Sequence, residues 1–140
     1  MEEMKYQNEL EFVVRDYECD LQGVVNNANF LHYMEHARHQ WLESLGIDFA
    51  ALHEDGIDLV AVRIEIDYRH PLKSRDRFVV RSAFHREGRL KLICSQDIYR
   101  TSDQKLIAQA RVVTTALQNG RPALPAPVME KIEKVLPSSA

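Results

Sequence analysis

The sequence predicts an α+β fold in which one long helix packs against a sheet of antiparallel strands. Three observations lead to this prediction. Apolar residues with a helical repeat occupy the first third of the chain, segments of alternating apolar and polar residues follow, and breaks rich in glycine and proline separate those segments. The predicted order is a short strand, the long helix and then four strands, so the helix is expected on one face of the sheet.

The long helix is predicted from residue 26 or 27 to residue 45. Its apolar residues recur at steps of three and four, which places them on one face of a helix. These residues are Phe30, Met34, Ala37, Trp41 and Leu45. The opposite face is expected to be solvated and carries Glu35, Arg38, His39 and Glu43. On that face an ion pair is expected between Glu35 and Arg38, which stand three positions apart.

The clearest strand is predicted at residues 59–69, where apolar residues alternate with polar or small ones. The apolar set consists of Val60, Val62, Ile64, Ile66 and Tyr68. A period of two places all five side chains on the same face of the strand. That face is therefore expected to be dry and the other one wet.

The other predicted strands are residues 9–15, 77–86, 90–100 and 106–117. Phe78, Val80, Ser82 and Phe84 are expected to share one face of the third strand. Residues 119–122 are expected to end the sheet, and residues 128–136 to form a short helix at most. The organisation predicted is one domain over residues 1–140, with a core at about 8–118 and a C-terminal tail at 119–140.

Composition argues against several classes of protein. The chain has 140 residues, of which 45% are hydrophobic and 28% charged, as expected for one globular domain. A net charge of −3 does not suggest a nucleic-acid partner. No apolar run approaches the roughly 20 residues of a membrane span, and the N-terminus lacks a secretory signal. Two cysteines without metal-binding spacing predict a cytoplasmic protein, and neither a metal nor a cofactor is expected.

The charge is unevenly distributed along the chain. Residues 70–91 contain seven basic residues and two acidic ones, although the whole chain is acidic. Such a region could bind a small polyanion such as a nucleotide phosphate. The alternative is that these are outward-facing positions of an exposed strand pair, and the sequence leaves both interpretations open.

The dimensions of the predicted elements indicate an oligomer. A helix about 10 Å wide cannot cover five strands spaced at about 4.8 Å, which together span roughly 24 Å. Part of the sheet would stay open in a monomer. We therefore expect exposed strand edges to pair between chains.

The stretch from Asp20 to Arg38 carries the most specific pattern in the chain. It reads Asp20-Leu-Gln-Gly-Val-Val-Asn-Asn-Ala-Asn-Phe30, followed after two residues by Tyr33-Met-Glu-His-Ala-Arg38. This pattern resembles the signature of the 4-hydroxybenzoyl-CoA thioesterase-like branch of the hotdog-fold thioesterases. The resemblance implies a hotdog fold, in which a curved antiparallel sheet of five or six strands wraps a long central helix. It also implies homodimers with sheets joined edge to edge, often paired as dimers of dimers, and active sites at the subunit interface.

The resemblance further implies hydrolysis of an acyl thioester of coenzyme A or of acyl carrier protein. Asp20 would act as general base on water or as nucleophile, and backbone N–H groups at the helix start, near Asn27, would form the oxyanion hole. Substrate contacts are implied at Gly23, Val24, Val25 and Asn26, and contacts with the coenzyme's phosphates at Lys73 and Arg75. Without the resemblance, the spacing favours a turn or capping role for Asp20 over catalysis.

One departure from the family pattern and one further similarity keep alternatives open. Relatives often carry Tyr-His where this chain has Asn26 and Asn27, so an aspartate–histidine pair is not available here. The run Val-Asn-Asn is also similar to plant-type acyl-ACP thioesterases, which keeps a carrier-protein substrate open. Dehydratase signatures of the same fold are missing. Two further alternatives are a hotdog module that binds acyl-CoA without hydrolysing it and an inert oligomerisation domain, and Asp20 with the intact Gly-Val-Val turn argues against both.

Overall fold

The computed structural model describes residues 6–136 and contains one six-stranded antiparallel sheet with a long helix packed against it. The helices are α1 (Asn27–Ser44), α2 (Phe49–Glu54) and α3 (Ala126–Ile132). The strands are β1 (Asn8–Val13), β2 (Ile57–Tyr68), β3 (Arg77–Glu87), β4 (Lys91–Arg100), β5 (Leu106–Gln118) and β6 (Arg121–Ala123). This is the hotdog architecture, so the predicted fold class is confirmed.

The strand order is β1-β3-β4-β5-β2, and β6 pairs with β5. The prediction that residues 119–122 end the sheet is wrong, because Arg121 to Ala123 continue it as β6. Asn119 and Gly120 lie between the two strands with positive φ angles of 52° and 81°. An Asn-Gly pair with two positive φ values is the preferred turn of a tight hairpin, and this local chemistry reverses the chain instead of stopping the sheet.

The predicted apolar face of α1 lies against the sheet. Phe30, Met34, Ala37 and Trp41 are each at most 4% exposed. The face predicted for the third strand is buried as well, since Phe78, Val80, Ser82 and Phe84 are at most 2% exposed. The core divides into two apolar clusters. One surrounds the N-terminal half of α1, and the other joins its C-terminal half to Phe84 and α3.

A polar layer separates these two clusters. Gln96 on β4 is fully buried, donates to the Met34 carbonyl at 3.0 Å and to Ser82 Oγ at 3.1 Å, and accepts from Arg38 Nη1 at 2.9 Å. The expected ion pair between Glu35 and Arg38 is therefore wrong. No ion pair of Arg38 occurs among residues 6–136. Arg38 lies on the border of the solvated face and turns inward, because the buried Gln96 carbonyl needs a donor.

The alternation predicted for β2 is only partly reflected in burial. β2 lies at the end of the strand order, and its side chains Val62, Ile64 and Tyr68 are 56%, 40% and 46% exposed. The prediction of a dry face for this strand is wrong for the single chain. Periodicity reports which residues share a face only while the ladder is regular, and a β-bulge between Ala61 and Arg63 interrupts it in β2. Burial also needs an element that covers the face, and α1 covers β2 only in part, through Phe30 against Tyr68 and through contacts of Ile66 with the first cluster.

Among residues 6–136, no helix has the length and hydropathy required to cross a membrane. The cytoplasmic location and the single-domain organisation stay predictions. Residues 137–140 of the predicted tail lie outside the described part of the chain.

Candidate active site

Residues 19–25 form a compact turn that carries Asp20. The backbone N–H of Asp20 donates to the Val24 carbonyl at 2.9 Å, and that of Gly23 donates to the Asp20 carbonyl at 3.0 Å. Cys19 and Val25 pair across the base of the turn. Gly23 has φ +81°, a conformation that a residue with a Cβ rarely adopts. The turn therefore depends on glycine at this position.

The Asp20 carboxylate is exposed in the single chain. Its Oδ1 accepts a hydrogen bond from the backbone N–H of Gln22 at 2.8 Å, which is the Asx-turn arrangement. Its Oδ2 accepts no hydrogen bond from the described residues. One oxygen is thus oriented by the turn while the other remains available to a ligand or a water molecule.

The start of α1 presents free backbone donors. Asn26 is the N-cap, and its Oδ1 accepts from the backbone N–H of Asn29 at 3.0 Å. The backbone N–H groups of Asn27 and Ala28 have no acceptor among residues 6–136. Both residues are exposed. Together with the positive end of the helix dipole, such groups can stabilise a developing oxyanion.

Glu18 connects the turn to α1, which the sequence analysis did not predict. Its Oε1 accepts from Tyr33 Oη at 2.8 Å and from the Arg15 backbone N–H at 2.7 Å, and its carbonyl accepts from Asn29 Nδ2 at 2.8 Å. Burial raises the pKa of Tyr33, and the bond to Glu18 raises it further. These contacts hold the turn against the first two turns of α1. The sequence signal was only the position of Glu18 two residues before Asp20.

The loop before β3 lies beside the same turn. Val24 pairs with Lys73, and the Val25 N–H donates to the Leu72 carbonyl at 2.9 Å. Arg75 has φ 72°, and its N–H donates to the Val14 carbonyl at 2.9 Å. Lys73 and Arg75 are both exposed. The structure thus brings the loop carrying the two predicted phosphate contacts next to the turn, with both side chains accessible to solvent.

Comparison with known proteins identifies the family. Residues 14–136 match the model of the thioesterase-like superfamily, which covers most of the chain. The chain belongs to the thioesterase-like superfamily. The predicted resemblance to 4-hydroxybenzoyl-CoA thioesterase-like proteins is thereby confirmed.

Two curated relatives and one solved structure illustrate this membership. The chain is 34% identical over 112 residues, 80% of its length, to the acyl-acyl carrier protein thioesterase ATL3 of Arabidopsis thaliana, of which the match covers 59%. It is 29% identical to the long-chain acyl-CoA thioesterase FadM of Escherichia coli, with coverage of 88% and 95%. It superposes on Slr0204, a 1,4-dihydroxy-2-naphthoyl-CoA thioesterase from Synechocystis, with a TM-score of 0.83 at 23% identity and coverage of 91% and 96%.

This thioesterase-like chain spans about 59% of the length of ATL3, and its identity to Slr0204 is low enough that the structural match establishes the fold alone. The named relatives are thioester hydrolases with different substrates. Membership supports the predicted enzyme class.

Other reactive side chains near the turn do not form a competing centre. Burial raises the pKa of Cys19, and the carboxylates of Asp16 and Asp20 raise it further. Cys19 also packs against the first apolar cluster. The thiol form is favoured, which argues against a cysteine nucleophile. His32 and His36 are one helical turn apart on α1, but no group of three metal-ligating side chains occurs within residues 6–136.

A groove of about 840 Å³ runs between β1 and α1, beginning at Glu18 and Asn29 beside the turn. Its walls include Phe12, Tyr33 and His36. Phe30 and Met34 do not line this groove, because both side chains are buried in the core. An open groove next to the turn is a feature that only the packing of β1 against α1 could produce.

Proposed function

We propose that this protein hydrolyses an acyl thioester to a free acid and a thiol. The observation that carries the proposal is the position of Asp20 on a turn that Glu18 holds against the start of α1. There the backbone N–H groups of Asn27 and Ala28 have no acceptor within residues 6–136, and the chain belongs to the thioesterase-like superfamily. Hydrolysis needs an activated water or a nucleophile, together with donors for the carbonyl oxygen. The two requirements have candidate groups within one short segment.

In the proposed mechanism, Asp20 removes a proton from a water molecule whose oxygen attacks the thioester carbon. The carbonyl oxygen becomes negatively charged and accepts hydrogen bonds from the backbone N–H groups of Asn27 and Ala28. The C–S bond then breaks, and the proton held by Asp20 passes to the departing sulfur. Asn27 can also donate through its side-chain amide but cannot transfer a proton at neutral pH.

The alternative mechanism is direct attack of the Asp20 carboxylate, which expels the thiolate and leaves a mixed anhydride that water cleaves. After a single turnover in ¹⁸O-water, label in the Asp20 side chain identifies the nucleophilic mechanism. Nucleophilic attack places ¹⁸O in the Asp20 side chain when water opens the anhydride at the enzyme's carboxyl carbon. General-base catalysis places it only in the released acid.

The thiol part of the substrate is coenzyme A or acyl carrier protein. ATL3 is named for carrier-protein substrates and FadM for long-chain acyl-CoA. The turn residues Gly23, Val24 and Asn26 would contact the thioester, while Val25, which is 4% exposed and packs in the first apolar cluster, would support the turn from below. Lys73 and Arg75 would contact a phosphate, which both carriers possess, because their side chains are exposed beside the turn.

We also propose a homodimer formed through β2, with pairing of dimers as a further step. β2 has 12 residues and exposes Val62, Ile64 and Tyr68 at the end of the sheet. A long apolar edge strand is normally covered or paired. Antiparallel pairing of β2 with β2 of a second copy would cover these side chains.

The experiment is a thiol-release assay over short, long, branched and aromatic acyl-CoA thioesters, repeated with the matching acyl-ACP thioesters. We expect release from at least one class, and loss of at least 100-fold in kcat/KM for Asp20→Asn. Absence of release from every substrate, together with binding of acyl-CoA to the folded protein, would replace hydrolysis with the non-catalytic binding function.

A further inference from the structure

A small cavity between α1, α2 and β2 lies outside the site described above. It has a volume of about 50 Å³. Its apolar walls include Leu42, Leu59, Ala61 and Phe84. The polar residues that line it are Arg38, His39 and Thr114, and no carboxylate within residues 6–136 does so. On a protein of net charge −3 this cavity is locally basic.

Arg38 reaches this cavity with most of its hydrogen-bonding capacity unused. Its Nη1 donates to Gln96 Oε1 at 2.9 Å, which is the one hydrogen bond of its side chain within the described residues. A guanidinium carries five N–H donors. Burial lowers the pKa of Arg38, and the nearby Cys94 and Glu35 raise it by a smaller amount. Arg38 is half-buried, and a cation that is partly removed from water is stabilised by an accompanying anion.

Thr114 supplies a second unpaired group at the same cavity. Its Oγ1 is buried and has no hydrogen-bond partner in the described part of the chain. Thr114 pairs in register with Ala61, and a β-bulge between Ala61 and Arg63 follows directly. Buried hydroxyls in folded proteins almost always have a partner. The cavity is thus lined by a guanidinium with unused N–H donors and by a residue whose hydroxyl has no partner among residues 6–136.

We propose that this cavity binds a carboxylate, held by the guanidinium of Arg38 and the hydroxyl of Thr114. A single water requires roughly 10–15 Å³, so the cavity of about 50 Å³ accommodates a carboxylate and the carbon attached to it. A short apolar body would extend past His39 and Ala61, which line the cavity and are exposed. The guanidinium can hold such a group with two parallel hydrogen bonds. The surrounding leucine, alanine and phenylalanine side chains favour an organic acid with a short apolar body over an inorganic anion.

The carboxylate can come from a free organic acid or from an Asp or Glu side chain of a second copy packed on β2. If the free acid is the product of hydrolysis, the cavity would bind the product of the reaction. Only this identification of the ligand rests on the proposed function. The binding measurement below involves no turnover. The result of the binding titration therefore does not depend on whether Asp20 is the catalytic residue.

The test titrates the protein with isobutyrate and, as a neutral isostere, isobutyramide, at constant ionic strength, using calorimetry and NMR. We expect isobutyrate to bind the wild-type protein and isobutyramide not to bind. Arg38→Met should raise the Kd for isobutyrate by a factor on the order of 10 to 100, since a charged hydrogen bond is lost. Thr114→Val keeps the side-chain shape and should raise it by a factor of about 3 to 10.

The second source is tested by sedimentation of the same proteins. If a carboxylate of the second copy fills the cavity, isobutyrate does not bind, and both variants weaken self-association about 10-fold or more while the exposed control Arg89→Met does not. The proposal is overturned if isobutyrate does not bind and self-association is unchanged. It is also overturned if isobutyramide binds equally well, or if both variants bind isobutyrate like the wild type.

Discussion

The two ends of α1 differ in what surrounds them. At the N-terminal end Asn27 and Ala28 are exposed and their backbone N–H groups have no acceptor within residues 6–136. At the C-terminal end Trp41 is 4% exposed and Leu42 5%, and both pack in the cluster that includes α3. The comparison indicates that one end anchors the helix while the other keeps polar groups free for chemistry.

The polar layer of Arg38, Gln96 and Ser82 lies between these two ends. Because the apolar clusters on its two sides are separate, substitutions at one end should have little effect on the other. The predictions below test this separation, beginning with the largest expected effect.

Trp41→Ala should lower the free energy of unfolding by about 3–5 kcal/mol. The indole ring stacks on Phe84 with centroids 4.7 Å apart, so its removal leaves a cavity in the second cluster. Urea denaturation measures the effect. The exposed Glu43→Ala on the same part of α1 is the control and should change stability by less than about 0.5 kcal/mol. A Trp41→Ala loss below about 1 kcal/mol would contradict the anchoring role.

Asp20→Asn, unlike Trp41→Ala, should lower activity strongly and stability little. Turnover should fall by a factor on the order of 100 or more, which corresponds to about 2.7 kcal/mol of transition-state stabilisation. The unfolding free energy should change little, because the asparagine carbonyl can still accept from the Gln22 N–H. Thiol release and urea denaturation of the same preparation measure both. Asp16→Asn is the nearby control, and wild-type turnover in Asp20→Asn would remove this residue from the mechanism.

Gly23→Ala should cost about 1–2 kcal/mol of stability, since a left-handed residue with a Cβ is strained. The effect is conformational, because within residues 6–136 no atom beyond the two chain neighbours lies within 4 Å of the added methyl group. Gly88 is a matched control: its φ is +70°, and its Cβ would also meet open space. Both variants should lose similar stability in urea denaturation, and only Gly23→Ala should lower turnover. Equal turnover in the two variants would show that the turn geometry does not serve catalysis.

Asn26→Ala should lower stability by about 1 kcal/mol, because α1 loses its N-cap. Asp48 caps α2 in the same manner, accepting from the Ala51 N–H at 3.0 Å, which makes Asp48→Ala the control. Thermal denaturation should give similar losses for both. Only Asn26→Ala should lower kcat, since it disturbs the helix start. If Asp48→Ala lowers kcat equally, the effect comes from general stability.

Sequence patterns predicted those features that follow from local periodicity. The burial of Phe30, Met34, Ala37 and Trp41 follows from helical spacing, and the strands follow from alternation. The family pattern in residues 20–38 also led to the thioesterase-like superfamily. These predictions succeed because the period of a helix or strand is a property of neighbouring residues.

The features that were missed depend on residues far apart in the chain. Arg38 turns inward because Gln96, 58 positions later, offers a buried carbonyl oxygen. Tyr33 bonds to Glu18, 15 positions earlier, and thereby holds the turn to α1. No periodicity reports such pairs, because they arise only when β4 and the turn pack against the helix.

The amino-acid sequence by itself determined the element order, the buried face of α1 and the position of an acidic turn before that helix. Tertiary structure decided that β2 has an exposed apolar edge, that Glu18 anchors the turn, and that Arg38 and Thr114 meet at one cavity. The physical reason is that spacing sets which side chains share a face, whereas only packing sets what each face meets.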